Sequence, residues 1–242
     1  PGSWESTDNA IEKLLFELKD VLVCVDDYAP RADSVEQRKQ AGRAQRVIRQ
    51  MGNSTGRGRL RADLSIRPDR PPRGLMISTG EDLPPGQSVM ARVLAIEVVS
   101  GSVDLTKLSS AQKETAQLTH AMAGYIDWLK PRVNSLKEEL LPKFIQYRNK
   151  FDHNRLHGRI PEALSYLAIG IDLLVDFATD SGAISEQDRE RICSQAREEL
   201  VALGQAHGQR VGEADAAEVF LTALTDLLSS GACVLEQKNK IR

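Results

Sequence analysis

The sequence predicts an α/β fold: a parallel sheet in the first part of the chain, followed by an all-α helical region. Three apolar runs have the composition of buried strands, namely "VLVCV" from Val21, "GLMIS" from Gly74 and "ARVLAIEVV" from Ala91, with helical or irregular segments between them. From Ser109 onward no such run occurs, and apolar residues recur with helical periodicity. Because parallel strands are usually buried on both sides, we expect both faces of the sheet to be covered.

The first elements follow from local patterns. A helix is predicted over 8–19, with Thr7 or Asp8 as its N-cap, ahead of the first strand. Its apolar stripe consists of Ile11, Leu14, Leu15 and Leu18. After the strand, the sequence from Ser34 predicts a second, strongly basic helix that ends at Gly52.

The later elements are separated by Gly and Pro. "GRLRADLSIRP" alternates around a polar turn and predicts a two-stranded hairpin, and two strands from Gly74 and Ala91 follow it. The predicted helices of the second part are 109–130, 132–150, 161–180, 185–206 and 214–230. The resulting domain prediction is 1–103 for the sheet-containing core and 104–242 for the helical region.

Charge is unevenly distributed. The chain has a net charge of -2, yet the stretch from Arg31 to Arg73 has twelve Arg or Lys against four Asp or Glu. Such a basic segment predicts an anionic partner. No apolar run is long enough to span a bilayer, and the three Cys lie far apart within apolar patterns, so we expect a cytoplasmic protein with no membrane role.

Two adjacent carboxylates, Asp26 and Asp27, follow the first apolar run. This is the Walker B pattern, in which the first carboxylate is brought to a magnesium ion on nucleotide phosphates and the second orients the attacking water. It predicts Asp26 as the metal ligand and Asp27 as the water-orienting acid. The alternative is that the two acids only begin a turn or cap the next helix, since Asp is a favoured turn residue.

Polar residues at two further places fit the same hypothesis. Ser78 and Thr79 end the second predicted strand, where oligomeric P-loop ATPases place groups that sense the γ-phosphate. Arg92 stands at the start of the third, and an arginine finger stabilises transition-state charge on a neighbouring subunit's nucleotide. Taken singly, the hydroxyls are also explained by helix capping or turn formation, and Arg92 by a solvated residue at the start of a strand.

The basic excursion between the acids and the second strand predicts a nucleic-acid contact. Motors that move along a single strand often use a hairpin here, with Arg and Lys on the phosphates. The candidates are Arg57, Arg59, Arg61, Arg67 and Arg70. The alternative is a solvated, salt-bridged loop, which the lack of aromatic residues in the segment favours.

Four stretches together resemble the DUF927-type ATPase domains of primase-associated proteins from bacterial phages, plasmids and other mobile elements. They are "PGSWESTDNAIEKL", "LVCVDDYAP", "MGNSTGRGRLRADLSIRPDRPPRGLMISTGEDLPPGQSVMARVLAIEV" and "AMAGYIDWL". The resemblance is dense over 1–99 and thinner in the helical remainder. It implies a helicase-like AAA+ ATPase core in a ring-forming homo-oligomer that works beside a primase or polymerase.

The resemblance also implies roles for individual residues. Asp26 and Asp27 would be the Walker B acids, and Ser78 or Thr79 would occupy the sensor 1 position. Arg92 would be the arginine finger. The neighbouring acids, Glu81 and Asp82, would be further participants.

One element of such an ATPase is missing. No G-x-x-x-x-G-K-[ST] phosphate loop occurs in the chain, and "GNSTGRGR" from Gly52 has the wrong spacing and no Lys. We therefore expect the loop upstream of Pro1, so that ATP and Mg²⁺ would need residues outside this chain.

The sequence thus favours part of an ATP-dependent, DNA-translocating helicase-like motor in mobile-element replication, with single-stranded DNA as its nucleic acid. Two alternatives stay open. A non-catalytic DNA-binding or scaffolding module with a degenerate ATPase fold is favoured by the missing phosphate loop. A regulatory ATPase switch of a defence system would share the same acids.

Overall fold

Strands and helices alternate in the first part of the chain, as the sequence predicts. A computed structural model describes residues 2–29, 34–58, 60–61, 63–66, 68–152 and 156–234. The first elements are β1 (Gly2–Ser3), α1 (Asp8–Glu17), β2 (Leu22–Tyr28), α2 (Ser34–Asn53), β3 (Leu75–Gly80) and α3 (Gln87–Met90). The two long apolar strands and both helices are confirmed, and the protein is a mixed α/β structure.

Helices alone follow. The predicted helix 109–130 is divided into two, the predicted helix 185–206 continues to Glu213, and the other three lie within three residues of their predicted ends. The helices are α4 (Leu105–Lys113), α5 (Thr115–Leu129), α6 (Val133–Phe151), α7 (Arg159–Asp180), α8 (Glu186–Glu213) and α9 (Ala216–Ser229), with a 3-10 turn at Lys130–Arg132. Short polar side chains cap three helices: Thr7, Asp104 and Asp215 each accept a backbone N–H of the first turn.

The chain divides into two compact units. The first comprises the residues up to Val93 together with those from Arg210 onward, and the second is Leu94–Gln209. The division therefore falls near, but not at, the predicted boundary between 103 and 104, and the last helix is grouped with the first unit.

The three strands form one parallel sheet in the order β1-β2-β3. Strand β1 was not predicted, because two residues are too few to show a pattern. Since the order in the sheet equals the order in the chain, two crossovers of the same hand place α1 and α2 on the same face. These two helices contact each other there.

That face contains the core of the first unit. Its buried members are Trp4, Ile11, Leu15, Val23, Val25, Tyr28, Ala44, Val47, Ile48 and Val89. The opposite face is uncovered by the described residues: Leu22, Leu75 and Ile77 are 56%, 72% and 50% exposed. The expectation that both faces are covered is therefore wrong, because neither crossover passes over the second face.

Two further predictions need correction. The run from Ala91 to Val99 is turn and irregular structure and pairs with none of the strands of the sheet. Ala91 and Ala95 are buried and Val93 packs against the core, whereas Ile96 is 68% exposed, so β propensity alone forms no strand without a neighbour. Among the described residues of the predicted hairpin, Leu60 and Ile66 form one antiparallel bridge. It encloses a turn in which the Arg61 N–H donates to the Ser65 carbonyl at 2.8 Å.

The second unit is built around α6, α7 and α8. Its buried side chains include Tyr147, Phe151, Ile160, Leu164, Ala168, Ile169, Val175, Cys193 and Leu200. Gly204 lets α8 approach α7 closely, because a Cβ there would lie 2.6 Å from Cδ1 of Leu164. Helices α4 and α5 contain no buried residue.

Candidate functional site

The paired acids lie at the carboxyl-terminal edge of the sheet. Asp26 and Asp27 belong to β2 itself, which continues to Tyr28, rather than following the strand. Thr79 lies near the end of the neighbouring strand β3. Since the carboxyl ends of parallel strands meet at one edge, this is where an open α/β sheet binds ligands.

An irregularity in β2 presents the two acids. The register between β2 and β3 shifts between Val25 and Tyr28, and Asp27 has a left-handed φ of 64°. Asp tolerates this conformation better than most residues. The consequence is that Asp26 and Asp27 are both exposed at the same edge instead of alternating regularly between faces.

Thr79 connects the two acids. Its hydroxyl donates a hydrogen bond to Oδ1 of Asp26. The same Oγ1 accepts the backbone N–H of Asp27 at 3.2 Å. One side chain of β3 thus orients the first carboxylate and fixes the backbone that presents the second.

Ser78 points elsewhere. It is in register with Val25, which is fully buried, and so belongs to the covered face. Its Oγ accepts a hydrogen bond of 2.8 Å from Nε1 of Trp4, and the indole packs edge-to-face on Tyr28. Of the two hydroxyls predicted for the sensor position, the structure brings only Thr79 to the acids.

Two more carboxylates flank this edge. The Glu81 N–H donates to the Tyr28 carbonyl at 3.0 Å, and Gly80 permits this approach because a Cβ there would lie 2.5 Å from the same oxygen. Burial, together with the charge of Asp82, raises the pKa of Tyr28. Glu81 and Asp82 therefore lie beside the end of β2.

Metal-binding capacity at this edge is limited. Within the described part of the chain, no three His, Cys, Asp or Glu side chains are grouped so as to hold a metal ion. Mg²⁺ is commonly held by one or two carboxylates together with waters and substrate phosphates. Asp26, the predicted ligand, fits that mode and does not fit an all-protein metal cage.

Arg92 lies in the turn after α3, not at the start of a strand. Its guanidinium donates to Oδ1 of Asn53 at 3.2 and 3.3 Å, and to Oγ of Ser88 at 2.7 Å. Asn53 ends α2, the helix that leads from the carboxyl-terminal edge back to the amino-terminal edge of the sheet. Arg92 is therefore at the opposite edge from the acids of its own chain.

The Arg-rich excursion also lies at the amino-terminal edge. It leaves the end of α2 and returns to the start of β3, where the Asp20 N–H donates to the Arg73 carbonyl at 3.0 Å. Its two arms meet where the Gly56 N–H donates to Oδ2 of Asp69 at 3.1 Å. A Cβ on Gly56 would overlap Asp69 and the Arg70 backbone, so only glycine permits this closure.

The five predicted arginines differ in their surroundings. Arg59 and Arg67 lie outside the described residues. Arg57 and Arg61 are exposed. Arg70 instead lies beside an aromatic ring, with its Cζ 5.8 Å from the centroid of Phe16.

Phe16 and Arg73 are members of this edge that the sequence analysis missed. Cζ of Arg73 lies 4.1 Å from the Phe16 ring centroid, and its Nε donates to the Phe16 carbonyl at 2.5 Å. Phe16 lies outside the apolar stripe of α1. That position in the sequence is the available signal that the ring packs against something other than the core. Only the fold shows that the partner is an arginine 57 residues later.

The basic face of α2 is partly neutralised. Oδ1 of Asp8 accepts from Arg43 at 3.1 Å, and Oδ2 accepts from Arg46 at 2.9 and 2.5 Å. Burial alone would raise the pKa of Asp8, but the hydrogen bonds and charges of Arg46 and Arg43 outweigh it and lower the pKa. These two arginines hold α1 to α2 and are poor candidates for an external anion.

The second unit contains a separate ionic cluster. Oδ2 of Asp172 accepts from the Tyr147 hydroxyl at 2.6 Å and from Lys143 at 2.8 Å, and Arg197 lies 3.6 Å from Oδ1. Desolvation raises the pKa of Asp172, but the donors and cations around it outweigh this and lower it. The cluster holds α6, α7 and α8 together, and burial raises the pKa of the adjacent Cys193 thiol.

In comparisons with known proteins, no family model, no curated protein and no solved structure matches this chain. Among the described residues, no helix is both long enough and apolar enough to cross a membrane.

Proposed function

We propose that this chain is part of an AAA+ type, ATP-dependent motor that moves along nucleic acid in the manner of a helicase. The observation that best supports the proposal is the arrangement of Asp26, Asp27 and Thr79 at the carboxyl-terminal edge of a parallel sheet. A strand that presents two acids next to a hydroxyl of the neighbouring strand is suited to a nucleotide-bound magnesium ion and its attacking water.

The geometry of this edge supports a role for each of its three residues. Asp26, held by Thr79, would contact the magnesium ion, whose charge neutralises the phosphate oxygens during transfer. Asp27, presented by its left-handed backbone, would orient water. Thr79 positions both acids and is the better candidate for the sensor, because Ser78 is engaged by Trp4.

The nucleotide's phosphates need a binding loop that the 242 residues do not contain. Within the described chain, β3 pairs only with β2, so its other edge is free, and the sheet face that includes Leu75 and Ile77 is uncovered. A further strand and helix could add there directly beside Thr79. The proposal therefore requires that the phosphate loop be supplied at this edge by other residues.

The nucleic-acid part of the proposal rests on the opposite edge. Arg57 and Arg61 are exposed in a segment closed at its base by Gly56 and Asp69. Exposed arginines on a projecting segment contact phosphates without sequence preference, as translocation along single-stranded DNA demands.

The position of Arg92 supports the proposal of a homo-oligomer. An arginine at the edge away from the acids of its own chain can serve as an arginine finger only on the nucleotide of another copy, which a homo-oligomeric ring would bring to it. Its bonds to Asn53 and Ser88 would position it. A primase or polymerase partner and a role in mobile-element replication follow from the resemblance alone.

A second candidate function is a non-catalytic DNA-binding or scaffolding module. The missing phosphate loop favours it. In that case the acids at the carboxyl-terminal edge would only shape a turn, and nucleic-acid binding would not respond to ATP. A regulatory ATPase switch would hydrolyse ATP without displacing a strand.

The decisive experiment measures ATP hydrolysis and strand displacement by the complete protein with Asp27→Asn. The motor predicts that both activities fall at least about a hundredfold while nucleic-acid binding persists, because the change removes the water-orienting carboxylate. Glu138→Gln, at an exposed acid of α6 in the second unit, is the matched control. Wild-type protein that binds DNA but hydrolyses no ATP would favour the binding module, and hydrolysis without displacement would favour the switch.

A further inference from the structure

We propose that Arg73 and Phe16 form a stacking platform for a base of single-stranded nucleic acid at the amino-terminal edge of the sheet. The inference deepens the proposed function and rests on its nucleic-acid part. It assigns a site to two residues from different elements: Phe16 in the last turn of α1 and Arg73 just before β3.

The two side chains are layered. The Arg73 guanidinium lies over the half-buried Phe16 ring, with Cζ 4.1 Å from the centroid. Its Nε–H donates a hydrogen bond to the Phe16 carbonyl at 2.5 Å. Arg73 is itself exposed. The ring therefore supports one side of the guanidinium, while the outer side is open to solvent and offers a flat surface to a planar ligand.

The platform is held rigidly by backbone contacts. The Arg73 N–H donates to the Leu15 carbonyl at 3.1 Å, and the Arg73 carbonyl accepts from Asp20 at 3.0 Å. Gly74 packs so closely that a Cβ would lie 2.3 Å from the Val21 carbonyl oxygen. A preorganised surface loses little conformational entropy when a ligand binds.

Phosphate-binding groups adjoin the platform. Arg70 is next to the same ring, with Cζ 5.8 Å from its centroid. The bond between Gly56 and Asp69 brings Arg57, the neighbour of Gly56, to the same base of the excursion. One flat surface beside two cations matches a nucleotide, which has a base to stack and a phosphate to neutralise.

The acids near the platform are already engaged. Glu17 forms an ion pair of 3.6 Å with Lys13, and Asp20 one of 3.6 Å with Lys19. Asp69 accepts two backbone N–H groups, those of Gly56 and Arg70. These contacts reduce the negative charge that would otherwise repel a phosphate.

A single strand is the ligand favoured by this geometry. The faces of bases are accessible to a protein platform only where they are not stacked within a duplex. The sequence lacks aromatic residues within the excursion itself, and the fold supplies Phe16 in their place. Base stacking on such platforms tolerates any sequence.

The test compares two ligands with the 242-residue chain. Fluorescence anisotropy at fixed salt measures binding of a dye-labelled oligothymidylate and of an abasic oligonucleotide of equal length, which has the phosphates without the bases. Arg73→Lys keeps the charge and removes the plane. Phe16→Leu keeps apolar packing and removes the ring. Arg49→Lys, at an exposed arginine of α2, is the matched control.

We expect Arg73→Lys and Phe16→Leu to weaken oligothymidylate binding about tenfold, the size of one lost stacking contact. Binding of the abasic ligand should be unchanged in both, and Arg49→Lys should leave both ligands unaffected. A 2-aminopurine base in the oligonucleotide should be quenched by the wild type and not by Arg73→Lys, which separates stacking from a merely structural role.

Three results would overturn the platform. If Arg73→Lys binds oligothymidylate as the wild type does, there is no stacking at Arg73, although the nucleic-acid part of the motor stands. If Arg73→Lys weakens binding of the abasic oligonucleotide as much as binding of oligothymidylate, Arg73 is a phosphate contact. If the wild type binds neither ligand, the platform and the nucleic-acid part of the proposed function both fail, while the ATP-binding part is still judged by Asp27→Asn.

Discussion

The hydroxyl of Thr79 donates a hydrogen bond to Oδ1 of Asp26 between the two longest strands of the sheet. Ser78, one residue earlier, lies on the helix-covered face of the sheet and accepts a hydrogen bond from Nε1 of Trp4. The two neighbouring hydroxyls therefore have different tasks, and substitutions can separate them.

Thr79→Val should lower ATP hydrolysis by the complete protein roughly tenfold to a hundredfold, because the isosteric side chain no longer orients Asp26, a loss of about 1.5 to 3 kcal/mol for a hydrogen bond to a charged group. Thr79→Ser, which keeps the hydroxyl, should restore most of the rate. Ser78→Ala should instead leave hydrolysis intact and cost about 1 kcal/mol of unfolding free energy, since Nε1 of Trp4 loses its acceptor. Equal kinetic effects at both positions would contradict this division.

Asp27 combines a chemical and a backbone requirement, because its φ is 64°. Asp27→Asn should leave stability nearly unchanged, since Asn tolerates left-handed backbone, whereas Asp27→Val should cost about 1 to 3 kcal/mol through steric strain. Chemical denaturation measures the difference. If Val proves as stable as Asn, β2 does not need this conformation.

The contact of Asp8 with Arg43 and Arg46 should make stability depend on acid pH. Its folded pKa lies below the ordinary value of 3.8, so the stabilisation is fully present above that value and is lost as pH falls through the folded pKa. Asp8→Asn should therefore cost about 1 to 2 kcal/mol near neutral pH and progressively less in stronger acid. Unfolding curves from pH 7 to pH 2 test this, and a pH-independent difference would argue against the ion pair.

Replacing Asp172 should lower the unfolding free energy of the second unit more than replacing Tyr147, whose hydroxyl donates a hydrogen bond to it. Asp172→Asn leaves Lys143 and Arg197 without their carboxylate and should cost about 3 kcal/mol, towards the lower end for a broken buried pair because both cations are partly exposed. Tyr147→Phe should cost only about 1 kcal/mol. Urea denaturation measures both changes in unfolding free energy. Lys137→Met, at an exposed position of α6, is the control and should leave stability unchanged. A larger effect at Tyr147 would mean that packing dominates over charge.

Removing two exposed arginines should change the salt dependence of binding. For Arg57→Ala with Arg61→Ala, the slope of log affinity against log salt for single-stranded DNA should become shallower by about 1.4, since each phosphate contact contributes about 0.7. Lys137→Ala, which removes an exposed cation of α6 in the second unit, is the control. An unchanged slope would place the phosphate contacts elsewhere.

Much of the fold could be predicted from sequence because its elements have local signals. The stripe of Ile11 and Leu15, the capping by Thr7 and the apolar run into Asp26 each indicate structure without knowledge of distant residues. Strand β1 and the uncovered face of the sheet had no such signal. The first is two residues long, and the second depends on which side the crossovers take.

The site was predicted less completely. Asp26 and Asp27 are recognised by adjacency, but the choice between Ser78 and Thr79 depends on which face each occupies in β3. The position of Arg92 depended on a strand that does not form. The contact of Phe16 with Arg73 joins segments that only the fold brings together.

Helix α2 connects the two edges of the first unit. It has 20 residues and therefore extends about 30 Å. It ends at Asn53, which accepts a hydrogen bond from Arg92 and after which the basic excursion begins. An unbroken helix of this length behaves as a stiff rod. The helix therefore keeps a fixed spacing between the edge that follows β2 and the edge where Arg92 is bound by Asn53.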